Sequence, residues 1–209
     1  MEIYNSEEQQ VEAIKRFWKE NGNAIILGAA IGLAGIFGWR QYSAMQIEKA
    51  ETASDGFAQV IEKSAGDADA LADANAYIEK HKGTQYAVFA AFISAKEAVE
   101  ANKLEDAITQ LNFAAENAGN DSLKSIALTR LARVQAELGN FDAALSTIAK
   151  VNTTAFKARA AEIKGDILIK QGNVADARTA YQAAADAGGL EGNVVLQQKI
   201  DNLAAPVQG

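Results

Sequence analysis

The sequence predicts an all-helical protein with one N-terminal membrane span followed by a solenoid of paired helices. Three observations predict it. An uncharged apolar run of nineteen residues lies near the start, at Asn21–Trp39. The chain is rich in alanine and has one proline, Pro206, close to its C-terminus, so helical hydrogen-bond ladders can run unbroken. The remainder repeats a pattern of two apolar periodic runs around a turn. No convincing alternating strand segment lies between turn signals.

The first element is a tail over residues 1–21. Val11, Ile14, Phe17 and Trp18 fall on one helical face, with Lys15, Arg16 and Lys19 around it. That pattern suits a short helix resting on a membrane surface, or the first turns of the span extended into water. The span itself is expected at 22–42. As a helix the uncharged run covers roughly 28 Å, close to the hydrocarbon thickness of about 30 Å. Phe17 and Trp18 stand before it, Trp39 and Tyr42 at its far end, where aromatic rings favour the two interfaces. A cleaved signal peptide is the competing reading. The following WRQYSAMQIEKA, however, has no small-x-small cleavage site and places Arg40 where one would be needed, so the mature chain is expected to keep its anchor. A buried core helix fits less well, because the run has no polar face.

Lys15, Arg16 and Lys19 precede the span and Arg40 and Lys49 follow it, a small excess that favours a cytoplasmic N-terminus. The domain over residues 43–209 then lies on the other side. Gly28, Gly32 and Gly35, with Gly38 beyond them, contain a GxxxG pair that opens one face to another helix. Glycine is also simply common in membrane helices, so both readings stand.

After the span, a helix from about Gln41 to Lys63 is expected to continue it as a stalk, and another runs from about Asp67 to Lys82. Three units then superpose, starting at Tyr86, Ser122 and Phe156. In the second, Leu123, Ala127, Leu131, Val134 and Leu138 mark one face, and Phe141, Leu145 and Ile148 the next. Gly139-Asn140 separates these helices, a glycine suited to the left-handed C-terminal position. Gln171-Gly172-Asn173 repeats the turn in the third unit, and Asn102-Lys103 stands in for it in the first. Asp142 opens a helix where its charge suits the dipole. Ala95, Ala132 and Gly165 recur mid-way along the first helices. Ala107, Ala144 and Ala177 recur early in the second, each followed four residues later by a large partner, Leu111, Ile148 or Tyr181. Small facing large lets paired helices approach closely. A last helix, about Leu190 to Leu203, would cap the array.

The repeat resembles the tetratricopeptide pattern, whose period is about 34 residues. Equivalent positions are 37 and then 33 residues apart, and the usual tryptophan, tyrosine and proline positions are not kept. A plain antiparallel bundle is the alternative reading of the same pattern. Tetratricopeptide geometry implies a concave groove lined by the first helix of each pair. Its candidate contacts are Phe89, Phe92, Lys96, Thr129, Arg133, Arg159, Glu162 and Asp166. Such a groove can hold a partner segment; against that, the two phenylalanines read better as ordinary core, and the charges read equally as a solvated face.

Other chemistry finds little support. The net charge of −7 argues against nucleic acid, whose phosphates need a basic face. There is no cysteine, hence no disulfide framework and no thiolate zinc site. His81, the single histidine, has no second histidine or cysteine for a metal site or triad and reads as a solvated helix-end residue. No catalytic residue, metal or cofactor is expected, and the chain reads as a binding protein rather than an enzyme.

The run VEAIKRFWKENGNAIILGAAIGLAGIFGWRQY, with RLARVQ at Arg130–Gln135, resembles the YfgM family, ancillary subunits of the SecYEG translocon in Gram-negative bacteria. The resemblance covers nearly the whole chain, and its juxtamembrane stretch is the most specific part. It implies an inner-membrane protein with a periplasmic repeat domain. The implied partners are SecYEG, a PpiD-like membrane-anchored periplasmic chaperone, and nascent secretory polypeptides. The implied role is an adaptor linking the channel to periplasmic chaperones. The alternative from the residues alone is an envelope scaffold or regulator with a stress-signalling or cell-division partner.

Overall fold

The computed structural model describes residues 7–64 and 69–203, helical throughout its regular elements and without a strand among them. The expected start of the second helix at Asp67, and Pro206, lie outside the described residues. Helix α1 is Glu7–Lys63, followed by α2 (Ala70–Lys80), α3 (Gln85–Glu100), α4 (Leu104–Asn117), α5 (Asp121–Glu137), α6 (Phe141–Ile148), α7 (Lys157–Lys170), α8 (Val174–Ala184) and α9 (Val194–Asn202). A 3-10 turn at Thr154–Phe156 precedes α7, and a π turn at Ala185–Gly189 follows α8.

The chain divides into two units, Met1–Thr52 and Ala53–Gly209. In the first, α1 carries the apolar run, and it is the one helix among the described residues long and apolar enough to cross a membrane. Every residue from Asn23 to Trp39 is exposed, including Ile31, Leu33, Ile36 and Phe37. An apolar helix with no buried face needs an apolar surrounding, which a bilayer supplies. Trp18 lies across Gly22, where an added Cβ would sit 3.3 Å from the indole. At Gly28, Gly32 and Gly35 an added Cβ would meet nothing within 4 Å among the described residues.

In the second unit each helix from α2 to α9 packs on the next in sequence, the contact pattern of a solenoid. The three expected repeats are α3–α4, α5–α6 and α7–α8. Their turns share one hydrogen-bond geometry. Lys103 N–H donates to Ala98 O at 2.7 Å, Asn140 N–H to Gln135 O at 2.9 Å and Asn173 N–H to Leu168 O at 2.8 Å. This is the six-to-one bond of a Schellman cap, and it requires a left-handed residue before the donor. Asn102 (φ 57°), Gly139 (φ 77°) and Gly172 (φ 86°) supply it. The small–large pairing also holds. Ala95 and Ala107 bury with Leu111, Ala132 and Ala144 with Ile148, and Ala177 with Tyr181. At Gly165 an added Cβ would fall 2.4 Å from the Tyr181 ring.

Two local expectations need correction. The last helix begins at Val194, not Leu190, because Gly188 (φ 85°) and Gly192 (φ 71°) break the ladder. The Asn193 side chain then caps the new start by accepting from Leu196 N–H at 3.1 Å. His81 is not simply solvated. It ends α2 stacked on Tyr77, ring centroids 4.4 Å apart, and burial followed by the nearby Lys80 charge lowers its pKa. Tyr77 itself donates its hydroxyl to Ala53 O, and burial, aided by Tyr86, pushes its pKa up to about 12.

Candidate binding groove

The first helices α3, α5 and α7 display three recesses in a row. The outermost, about 390 Å³, is walled by Phe57 and Ile61 of α1, Phe89, Phe92 and Ile93 of α3, and Leu123, Ile126 and Arg130 of α5. The central one, about 670 Å³, lies between α3 and α5 with Leu111 of α4 also lining it. The third, about 340 Å³, lies between α5 and α7 and is closed by Tyr181 and Lys199. Phe92, Ile93 and Arg130 form a common wall of the first two, and Arg133 and Glu137 of the last two.

The eight expected groove residues separate in this geometry. Phe92, Lys96 and Arg133 meet in the central recess. Phe89 borders the outer one and belongs to an aromatic cluster, 6.0 Å from the Phe57 ring. Thr129 is buried, its hydroxyl donating to Ile126 O at 2.9 Å, and offers nothing to a partner. Arg159, Glu162 and Asp166 are held by the chain itself. Glu162 is only 5% exposed, and it accepts from Lys199 at 2.8 Å, Arg159 at 3.2 Å and Asn193 at 3.2 Å. Asp166 accepts from the Tyr181 hydroxyl at 2.8 Å and pairs with Lys199 at 2.7 Å. Burial alone would raise the Glu162 carboxyl, but Lys199, Arg159 and Asn193 outweigh it and hold its pKa below the ordinary value. Lys199 is raised for the mirror reason, since Asp166 and Glu162 overcome its desolvation. Burial and the Asp166 bond raise Tyr181.

The residues that sequence reasoning missed are Arg130, Lys199 and Asn193. The Arg130 guanidinium stands 5.0 Å from the Phe92 ring centroid, a cation–π contact at the junction of two recesses. Its spacing of three from Arg133 puts both on one helical face, which was a usable signal. Lys199 and Asn193 had none, because they reach Glu162 from 37 and 31 residues away.

The tetratricopeptide repeat-like domain family matches residues 15–205. An ancillary SecYEG translocon subunit of Escherichia coli (strain K12) is 34% identical over 98% of this chain and all of its own length. That of Haemophilus influenzae is also 34% identical, over 94% of this chain and 97% of its own. That of Neisseria gonorrhoeae is 23% identical over 97% and 100%. The chain belongs to the YfgM family of ancillary SecYEG translocon subunits. No solved structure matches it significantly. As a YfgM-family protein it is membrane-anchored by its N-terminal apolar helix and carries a tetratricopeptide-like solenoid.

Proposed function

We propose that this protein is a non-catalytic adaptor of the Sec machinery. Its anchor sits beside the SecYEG channel, and its repeat domain engages a PpiD-like membrane-anchored chaperone and the polypeptides that emerge there. The N-terminus is then cytoplasmic, the anchor spans 22–42, and the domain over 43–209 is periplasmic, as the Lys15, Arg16 and Lys19 cluster favours. One observation carries the reading, the 34% identity along essentially the whole chain to the Escherichia coli translocon subunit. The open face at Gly28, Gly32 and Gly35 supports a helix–helix contact in the membrane, since no contact among the described residues calls for those glycines.

The test is crosslinking of the full-length protein in native membranes, from photoreactive residues beside Gly32 and beside Arg133, with the adducts identified by mass spectrometry. Adducts with SecY, SecE or SecG from the anchor, and with a chaperone from the groove, are expected. A profile without translocon subunits from either position would remove the reading. The envelope-scaffold alternative predicts a signalling or division protein in their place.

A further inference from the structure

We infer that the central recess takes an acidic, apolar segment of a partner protein, held by Arg130 and Arg133. The inference rests on the reading of the repeat domain as an adaptor and names the chemistry of what that domain grips. The recess is apolar at heart, with Phe92, Val99, Leu111 and Val134 among its lining residues, and Val99 is 43% exposed. Phe92 and Ile93 are half-buried along its wall, while Leu111 and Val134 are buried beneath them, so the recess offers an apolar floor with one exposed edge at Val99, large enough for partner side chains.

Its charges decide the partner's sign. The carboxylates on the rim are already answered from within the chain. Glu100 takes Lys96 at 3.1 Å, and Glu137 takes Lys170. Lys96 also pairs with Glu97 at 3.0 Å, and these two carboxylates raise its pKa. Arg130 and Arg133 have no carboxylate partner among the described residues. In a chain of net charge −7, two uncompensated guanidiniums one helical turn apart are a local positive site. Arg130 is further fixed over Phe92, so its planar fork is held at the apolar wall rather than free in solvent. A free anion would use the arginines and leave the apolar lining wet. A purely apolar segment would leave the arginines facing nothing. A segment with apolar side chains flanked by carboxylates satisfies both. The third recess is a poorer seat, because Lys199 is already spent on Glu162 and Asp166.

The probe is a fluorescein-labelled twelve-residue peptide alternating glutamate with leucine and phenylalanine. It is titrated by anisotropy against the full-length protein in detergent. A twin with lysine for glutamate and a twin with serine for the apolar residues are compared. The acidic apolar peptide should bind at least about tenfold tighter than either twin. Its affinity should weaken as salt rises. Arg130→Gln with Arg133→Gln should lose about tenfold or more, while Lys164→Gln, elsewhere on α7, should not. Helical ellipticity confirms that the variants are folded, and a single Arg133→Gln is the fallback if the pair is not. Equal binding of the three peptides, or indifference to the arginine pair, overturns the inference. So does self-association abolished by the same pair without peptide binding, which would give the groove to a second copy. Capture of SecYEG subunits by the wild-type chain is scored separately. Its failure counts against the Sec reading and leaves the peptide result standing, and the reverse also holds.

Discussion

At Gly165 a single methyl group decides whether α7 and α8 can meet. The Tyr181 ring occupies the place of the missing side chain, 2.4 Å from where a Cβ would stand. Gly165→Ala should therefore cost about 1–3 kcal/mol through overpacking, read as a lower urea midpoint of helical ellipticity. Adding Tyr181→Leu should return part of that loss, a non-additivity expected of residues in contact. Glu162 makes a different point. Its pKa is lowered in the folded state from the ordinary 4.5. Its contribution is thus complete above that value and fades as pH falls through the folded one. Glu162→Gln should flatten the acid limb of a stability–pH curve and, by leaving Lys199 with Asp166 as its one carboxylate, cost about 1–3 kcal/mol near neutral pH. Gly165 was legible in advance, because it falls on the small-residue position of a repeat. The role of Glu162 was not, since two of its three partners, Lys199 and Asn193, reach it from the capping helix that the repeat pattern does not contain.

At the level of helices, the repeat turns give a paired experiment. Asn102, Gly139 and Gly172 hold the same left-handed position in successive repeats. Gly139→Ala should destabilise by about 1–2 kcal/mol, the strain of a Cβ in that region. Asn102→Gly should instead be neutral or stabilise by up to about 1 kcal/mol. Thermal unfolding followed by circular dichroism measures both, and a shared sign would refute the equivalence of the turns. The reason the helices were readable is visible here: apolar period, turn residue and small–large pairing all repeat together. The start of α9 was misplaced by four residues because leucine at 190 continues the apolar pattern while the backbone at Gly188 and Gly192 does not. Apolar period alone does not register a positive φ. Groove contacts were the least legible. Residue type marks a charge as available, but only the folded chain shows that Arg159, Glu162 and Asp166 already have partners.

At the scale of the whole molecule, the anchor and the repeat domain are expected to contribute separately. Gly28→Leu with Gly32→Leu keeps the run apolar and should leave the protein resistant to alkaline carbonate extraction. It should reduce co-purification with membrane partners, because leucine blocks close helix approach. Release by carbonate would contradict the membrane assignment; unchanged partners would move the contact to another face. The repeat domain carries one further implication. Its two ends are finished differently: the last turns of α1 and α2 cover the α3 side, and α9 closes the α7–α8 side with Leu196 fully buried and Lys199 clasping Glu162. A stack of related repeats needs a cover at each end, since a bare end keeps the face that would have packed on the next repeat. The α9 clasp is the stop that fixes its length. A chain cut before Val194 should therefore bare the α7–α8 end alone and pair there with a second copy, seen by light scattering as a concentration-dependent dimer that the full-length protein should lack.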